Sequence, residues 1–192
     1  MTSLLDEGSD NFSSSQFKLA MRENGVKISY SASKEKINGT FQVVKSQIQE
    51  GFWLLHESLN KPVFQLDKIN EVKSQIEASI KIDQSNISTI ASDKFNDFFF
   101  INNKLGKKVK GNLDSLSKIK RSDILKSFKK SITKNNLVIG IAGDINSELA
   151  KKYIEYVFGN LPINNSIKPI SDRKSTRLNS SHRCISYAVF CL

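Results

Sequence analysis

Between Val26 and Val43 apolar residues recur at every second position in two runs. Val26, Ile28, Tyr30 and Ala32 form the first, and Ile37, Gly39, Phe41 and Val43 the second, with polar Lys34-Glu35-Lys36 between them. Period two is the mark of a strand with one covered face, so this stretch predicts an antiparallel hairpin. A sheet must then be built here, and the rest of the chain has to cover it.

Most of the remainder follows the helical period. Ser13-Ser14-Ser15-Gln16 fits a capping box, with Phe12 and Phe17 placed as a hydrophobic staple, so a helix starts near Ser14 and Gly25 stops it as the C′ residue. Ile48, Phe52, Leu55 and Leu59 mark a helix ended by Asn60-Lys61-Pro62. Ile69, Val72, Ile76 and Ile80 mark a longer one with Asp67 as candidate cap, and Ile87, Ile90, Ala91, Phe95 and Phe98 a third. The stretch 102–112 reads as a loop, followed by short helices near Asp114–Ile119 and from Ser122 onward. Leu137–Ala142 is an unbroken apolar run, which predicts a strand buried on both faces, and Ser147–Phe158 a helix with Gly159 at C′. The fold class expected is α+β, an antiparallel sheet with helices layered on one face. The early strands need more sheet than Leu137–Ala142 provides, so the domain is expected to be truncated at both ends.

Composition sets bounds. The 192 residues carry a net charge of +10 with only two Cys and two His. A disulfide scaffold and a three-His metal site are excluded. No apolar stretch reaches 18 residues, so no membrane span is expected, and MTSLLDEGSD lacks the apolar core of a signal peptide. The composition breaks at Asp172. The 171 residues before it hold only Arg22 and Arg121, whereas 172–192 hold three Arg, both Cys and His182. DRKSTRLNSSH followed by ISYAVFCL resembles the conceptual translation of a sequencing-library adapter; the competing reading is a native basic strand-forming tail. The expected organisation is a domain over 1–162, a linker over 163–171 and a non-native tail over 172–192.

Few residues invite chemistry. His56-Glu57-Ser58-Leu59-Asn60 stops short of HExxH, because Asn60 is a poor zinc ligand; a surface His beside a solvated Glu is the plainer reading. Gly140-Ile141-Ala142-Gly143-Asp144 lacks the third Gly of a dinucleotide loop and no βαβ pair is expected around it, which leaves a tight strand-to-helix turn. Lys118, Lys120, Lys126, Lys129, Lys130 and Lys134 cluster, but Arg is scarce and no aromatic interleaves, so they read as a solvated helix face and no nucleic-acid partner is expected.

Taken in order, several segments resemble a known family. They are Leu4-Leu5-Asp6-Glu7-Gly8, Glu23-Asn24-Gly25, Ser31-Ala32-Ser33, Pro62-Val63-Phe64, Gly111–Leu116, Asn136–Ile145 and Phe158-Gly159-Asn160-Leu161-Pro162. Their spacing is similar to the first homologous domain of the pitrilysin/insulinase metallopeptidases, which include the processing peptidases. That resemblance implies paired α+β domains clasping a peptide, and zinc metalloendopeptidase activity in members carrying HxxEH and a distal Glu. Carried over by position, the ligand sites fall at Thr2 and Ser3 and near Ala78 and Ser79, with Glu77 offset on its helix. No metal or catalytic residue is therefore assigned. The resemblance implies a non-catalytic subunit, with zinc expected only in an active homologous partner, peptides as substrates of the pair, and a periplasmic or other bacterial envelope compartment. A fragment of an active peptidase with its HxxEH upstream is the alternative, and a basic nucleic-acid-binding module a further one.

Overall fold

The computed structural model describes residues 1–101, 103, 106–164 and 186–191, the last segment by its backbone. After a 3-10 turn at Thr2–Leu4, the elements run α1 (Ser14–Glu23), β1 (Lys27–Ala32), β2 (Ile37–Gln42), α2 (Ile48–Asn60), α3 (Leu66–Ser85) and α4 (Ile87–Phe99). They continue with α5 (Leu113–Lys118), α6 (Arg121–Ser131), β3 (Leu137–Ala142), α7 (Ser147–Phe158) and β4 (Ser186–Cys191).

Local chemistry starts the body of the molecule. Ser13 accepts from the Gln16 backbone N–H while the Gln16 side chain accepts from the Ser13 N–H, closing the expected capping box. Phe12 and Phe17 meet edge-to-face with centroids 6.0 Å apart, so the staple is present too. Gly25, at φ +60°, turns the chain into β1 in the left-handed region that glycine tolerates.

β1 and β2 pair antiparallel as the alternation predicts, with Ile28 opposite Phe41 and Tyr30 opposite Gly39. The sheet then continues in parallel, in the order β1-β2-β4-β3. β4 lies between β2 and β3, with Phe190 paired to Phe41 on one side and to Ile141 on the other. Residues 186–191 thus meet the expectation of a tail outside the domain with a strand in the middle of the sheet. The succession β3-α7-β4 is a parallel strand–helix–strand unit, where no βαβ pair was expected.

Helices α1, α2 and α7 cover one face of this sheet. Phe17, Phe41, Phe52, Leu54 and Val157 are almost wholly buried in that core, with Leu137, Ile139 and Ile141 packed against it. Two stacked pairs stitch α2 to α7: Phe52 on Tyr153 at 4.3 Å and His56 on Tyr156 at 4.7 Å. β3 corrects one expectation. Its residues alternate between half-buried and exposed, and Val138 is 41% exposed, so an unbroken apolar run has only one covered face.

A second cluster holds Leu4, Leu5, Phe64, Ile69 and Ile124, joining the N-terminal turn to α3 and α6. Three boundaries differ from expectation. Gln65, not Asp67, precedes α3, and Asp67 sits inside its first turn near the positive end of the helix dipole. Gly159 caps α7 with helical backbone, φ −60°, and is not a left-handed C′ residue. Ile163 and Asn164, assigned to a linker, adjoin the domain: Asn164 and Asn135 exchange two hydrogen bonds of 3.1 Å. Residues 165–171 lie outside the described residues, as do 172–185 of the tail.

Candidate functional site

The positions assigned to family ligands occupy two elements that touch. Thr2 is buried and Ser3 exposed in the first turn, which folds back through Leu4 N–H to the Met1 carbonyl and Leu5 N–H to the Thr2 carbonyl. Leu4 shares a groove with Ile69, Val72 and Ile76 of α3, so the turn rests on the apolar stripe of that helix. Ser79 follows Val72 by seven residues, two helical turns along the same stripe. Its hydroxyl accepts from Lys110 Nζ at 2.7 Å. Ala78, one residue back, is exposed, and Glu77 pairs outward with Lys81 at 2.7 Å.

The donor chemistry decides whether zinc fits there. Zn²⁺ takes imidazole, thiolate or carboxylate ligands. Thr2, Ser3 and Ser79 offer neutral hydroxyls and Ala78 a methyl, so these residues do not fit the metal. Among the described residues no three His, Cys, Asp or Glu side chains converge on a point where a metal ion could sit.

The His56-Glu57 pair behaves differently from the sequence reading. Glu57 is not solvated: it is 1% exposed, at the C-terminal end of α2. Its Oε2 accepts from Ser9 Oγ at 3.0 Å and Asn11 Nδ2 at 2.8 Å, and its Oε1 from Lys61 Nζ at 3.0 Å. Burial pushes its carboxyl up, but the bonds from Lys61, Asn11 and Ser9 more than offset this and hold it below its ordinary value. A carboxylate almost wholly buried and holding three donors is closed off from any substrate in solvent. It is a fastener, tying the turn at Ser9–Phe12 to the end of α2. The backbone repeats the tie, since Asp10 N–H donates to the Lys61 carbonyl at 3.1 Å.

His56 has its Nδ1 buried without a hydrogen-bond partner, 3.8 Å from Glu57 Oε1. Burial holds its pKa below the ordinary histidine value, opposed in part by Glu57, so the ring is neutral at pH 7. Asn60, which stands where HExxH would need its second His, donates to the His56 carbonyl at 3.1 Å and across to the Val157 carbonyl at 2.8 Å. It is a helix–helix link. The signals available for Glu57 were Lys61 at i+4 and the polar Ser9 and Asn11, but nothing local says that a turn nearly fifty residues upstream folds onto it.

A second polar fastener holds the approach to α3. Phe64 has φ +51°, the only positive φ of a non-glycine residue among those described, and is almost fully buried. Arg121 donates through Nε to the Phe64 carbonyl at 3.0 Å and through Nη2 to the Val63 carbonyl at 2.7 Å. The strained turn is held by that guanidinium and by Phe128, edge-to-face at 5.7 Å.

The lysine cluster is partly engaged. Lys118 pairs with Asp114 at 2.7 Å, and Lys134 reaches Glu155 at 3.4 Å and the Gly159 carbonyl at 3.1 Å. No helix among the described residues is long and apolar enough to cross a membrane.

Comparison with known proteins agrees with this picture. The family model described as the peptidase M16 inactive domain matches residues 118–185, running past the composition break at Asp172. The "Non-peptidase homolog YmxG" of Helicobacter pylori is 24% identical over 179 residues, 91% of this chain and 41% of that protein. The crystal structure of a peptidase M16 inactive domain from Pseudomonas fluorescens superposes with a TM-score of 0.78 at 18% identity, over 88% of this chain and 42% of that one. The periplasmic protease PqqL from Escherichia coli gives 0.70 at 16% identity, over 87% of this chain and 19% of that one. This chain thus spans about two fifths of the curated relative it matches. The resemblance read from the sequence is borne out: the chain is similar to the peptidase M16 inactive domain and to a non-peptidase homologue, and it shares its fold with peptidase M16 structures.

Proposed function

We propose that this chain contributes a non-catalytic domain to a peptide-binding chamber, beside an active zinc-bearing homologue. The observation that carries the reading is the contact between the Thr2–Leu4 turn and α3. In an active member those two elements would have to bring imidazole and carboxylate donors together. Here the same positions hold Thr2, Ser3, Ala78 and Ser79. The likeness to YmxG, a non-peptidase homologue, supports the same reading.

In this role the chain binds no zinc itself, and hydrolysis belongs to the partner, a catalytic homologous peptidase subunit. Peptides are the substrates of the assembly. The compartment is the periplasm or another part of the bacterial envelope, by analogy with PqqL. The test is reconstitution with an active family member encoded in the same genome. Co-elution of the two, and a peptidase rate that rises when this chain is added, are the expected results. Stoichiometric zinc in the chelator-washed chain, with peptide cleavage by the chain alone, would overturn the proposal in favour of an active fragment.

A further inference from the structure

α4 turns its polar side toward the molecule. Along the run from Ile87 to Phe100, only Thr89, Asp93, Asn96 and Phe100 are partly covered, and the other residues are exposed. These recur at i, i+4, i+7 and i+11, so they share one side of the helix. On that side Asp93 pairs with Lys108 at 2.6 Å, and Lys110 of the same loop pairs with Asp83 on α3 at 2.6 Å. The ionic hold fixes which way the helix faces.

The apolar side is left outward. At about 100° per residue, Ile87, Ser88, Ala91, Phe95, Phe98 and Phe99 fall within a sector roughly 120° wide. All of them are exposed, and Phe95 and Phe99 stack with centroids 5.4 Å apart. None is charged, so the sector offers nothing to a nucleic acid or a charged peptide. A stripe of this kind is what a helix of a folded protein normally buries. Ile87, Phe95, Phe98 and Phe99 are 60–83% exposed. At ~200 Å² for a large side chain they leave on the order of 550 Å² open, the upper end of the largest patch on a typical monomer.

The stripe is complementary in size to itself. Laid antiparallel against a second copy, with the two-fold axis at the level of Asp93, Phe95 meets Ala91, Phe98 meets Ser88 and Phe99 meets Ile87 of that copy. The helix is small along its first half and bulky along its second, so rings at positions 95 and 98 each enter a space left by a small residue. Asp93 lies on the opposite side of the helix, and its pair with Lys108 is undisturbed. The contact covers ~1,100 Å² over both copies, near the lower bound of about 1,200 Å² for a stable interface, and the backbone around Ser88 and Ala91 adds to it.

We propose that α4 is a self-association surface: two copies of this chain pair through antiparallel α4 helices in an isologous dimer, in the register that sets Phe95 on Ala91. The modest area makes the dimer reversible, forming in the micromolar range. It stands apart from the chamber reading, since it requires neither zinc nor a peptide.

The test is sedimentation equilibrium of the full chain from ~1 to ~200 μM, a span centred on that range. The mass is expected to rise from monomer toward dimer, and amide protection in α4 to rise with it. Phe98→Asp is expected to weaken association at least about a hundredfold, because the ring is lost from both halves of the symmetric contact. Its melting temperature at the lowest concentration should match the parent's. Register is read by mixing. Ala91→Asp and Phe95→Lys are each expected to be monomeric alone. Mixed in equal amounts they should dimerise, because one contact then joins the two introduced charges and the other keeps Phe95 on Ala91. A monomer throughout the range, association that Phe98→Asp leaves unchanged, or mixtures no more associated than the single variants would each overturn the proposal. So would an α4 that self-associates in no condition and whose Phe98→Asp variant instead loses binding to the active homologue.

Discussion

α2 and α4 are both thirteen-residue helices with apolar residues at helical spacing, yet they end in opposite environments. α2 buries Phe52, Leu54, Leu55 and Leu59 between the sheet and α7. α4 has no buried residue; Ile87 is 83% exposed, Phe98 77% and Phe99 65%. Its contacts are chiefly with α3, whose Ile82 is likewise exposed. Amphipathic spacing makes a helix able to bury a stripe; a facing surface decides whether it does. The body of the molecule supplies that surface to α2, whereas among the described residues the α3–α4 arm leaves Ile87, Phe95, Phe98 and Phe99 exposed.

The largest effect should separate the two at once. Phe52→Ala is expected to cost about 3–5 kcal/mol, through lost burial and a cavity between Phe41 and Tyr153. Phe98→Ala should change stability by less than about 0.5 kcal/mol. Urea unfolding of the two variants checks both, and similar losses would dissolve the contrast.

Glu57→Ala should follow, costing about 2–4 kcal/mol, because Ser9 and Asn11 lose their acceptor and Lys61 its partner. The fastener belongs to the α2 side, so hydrogen exchange should quicken in Ser9–Phe12 and leave α4 as it was. Acid should act at the same place. Glu57 and His56 have folded-state pKa values below their ordinary 4.5 and 6.5, so the native state binds fewer protons than the unfolded one. Their stabilisation is full above pH 6.5. The His56 part is lost as pH falls from 6.5 through its folded value, and the Glu57 part below 4.5. Asp6, raised by burial, opposes this at the acid end. Melting temperature against pH should therefore fall in two steps, and His56→Phe, which keeps an aromatic ring beside Tyr156, should remove the upper one.

Arg121→Ala should cost about 1–2 kcal/mol by releasing the Val63 and Phe64 carbonyls. The smallest expected difference is dynamic: native-state amide exchange in α4 should exceed that in the middle of α2, since few buried contacts oppose its opening. Equal protection would mean that α4 is covered in solution.

What was legible in the sequence is what is decided within a few residues. Ser13 to Gln16, Phe12 against Phe17, the hairpin alternation and the Gly25 stop all came through, because capping and pleat periodicity are local. The α+β class followed from them. The misreadings are non-local. Leu137–Ala142 looked like a doubly buried strand, because an apolar run carries no information about which faces are covered. Glu57 looked solvated, because the turn that encloses it is distant in sequence. The site was legible mainly as a donor set: Thr2, Ser3, Ala78 and Ser79 could be read as unsuited to zinc, whereas the contact of the first turn with α3 could not.

The place of β4 also bears on how the domain is made. Its strand is the last described element in the chain, yet it joins the hairpin to β3. On the ribosome, α1, β1, β2 and α2 emerge well before residues 186–191, and their sheet cannot close until that strand is made. Until then β2 offers an open edge beside apolar Phe41, a surface on which unfinished chains can stick to one another. Long-range closure of this kind slows folding, so yield on expression should depend on chaperone supply more than the number of local helices would suggest.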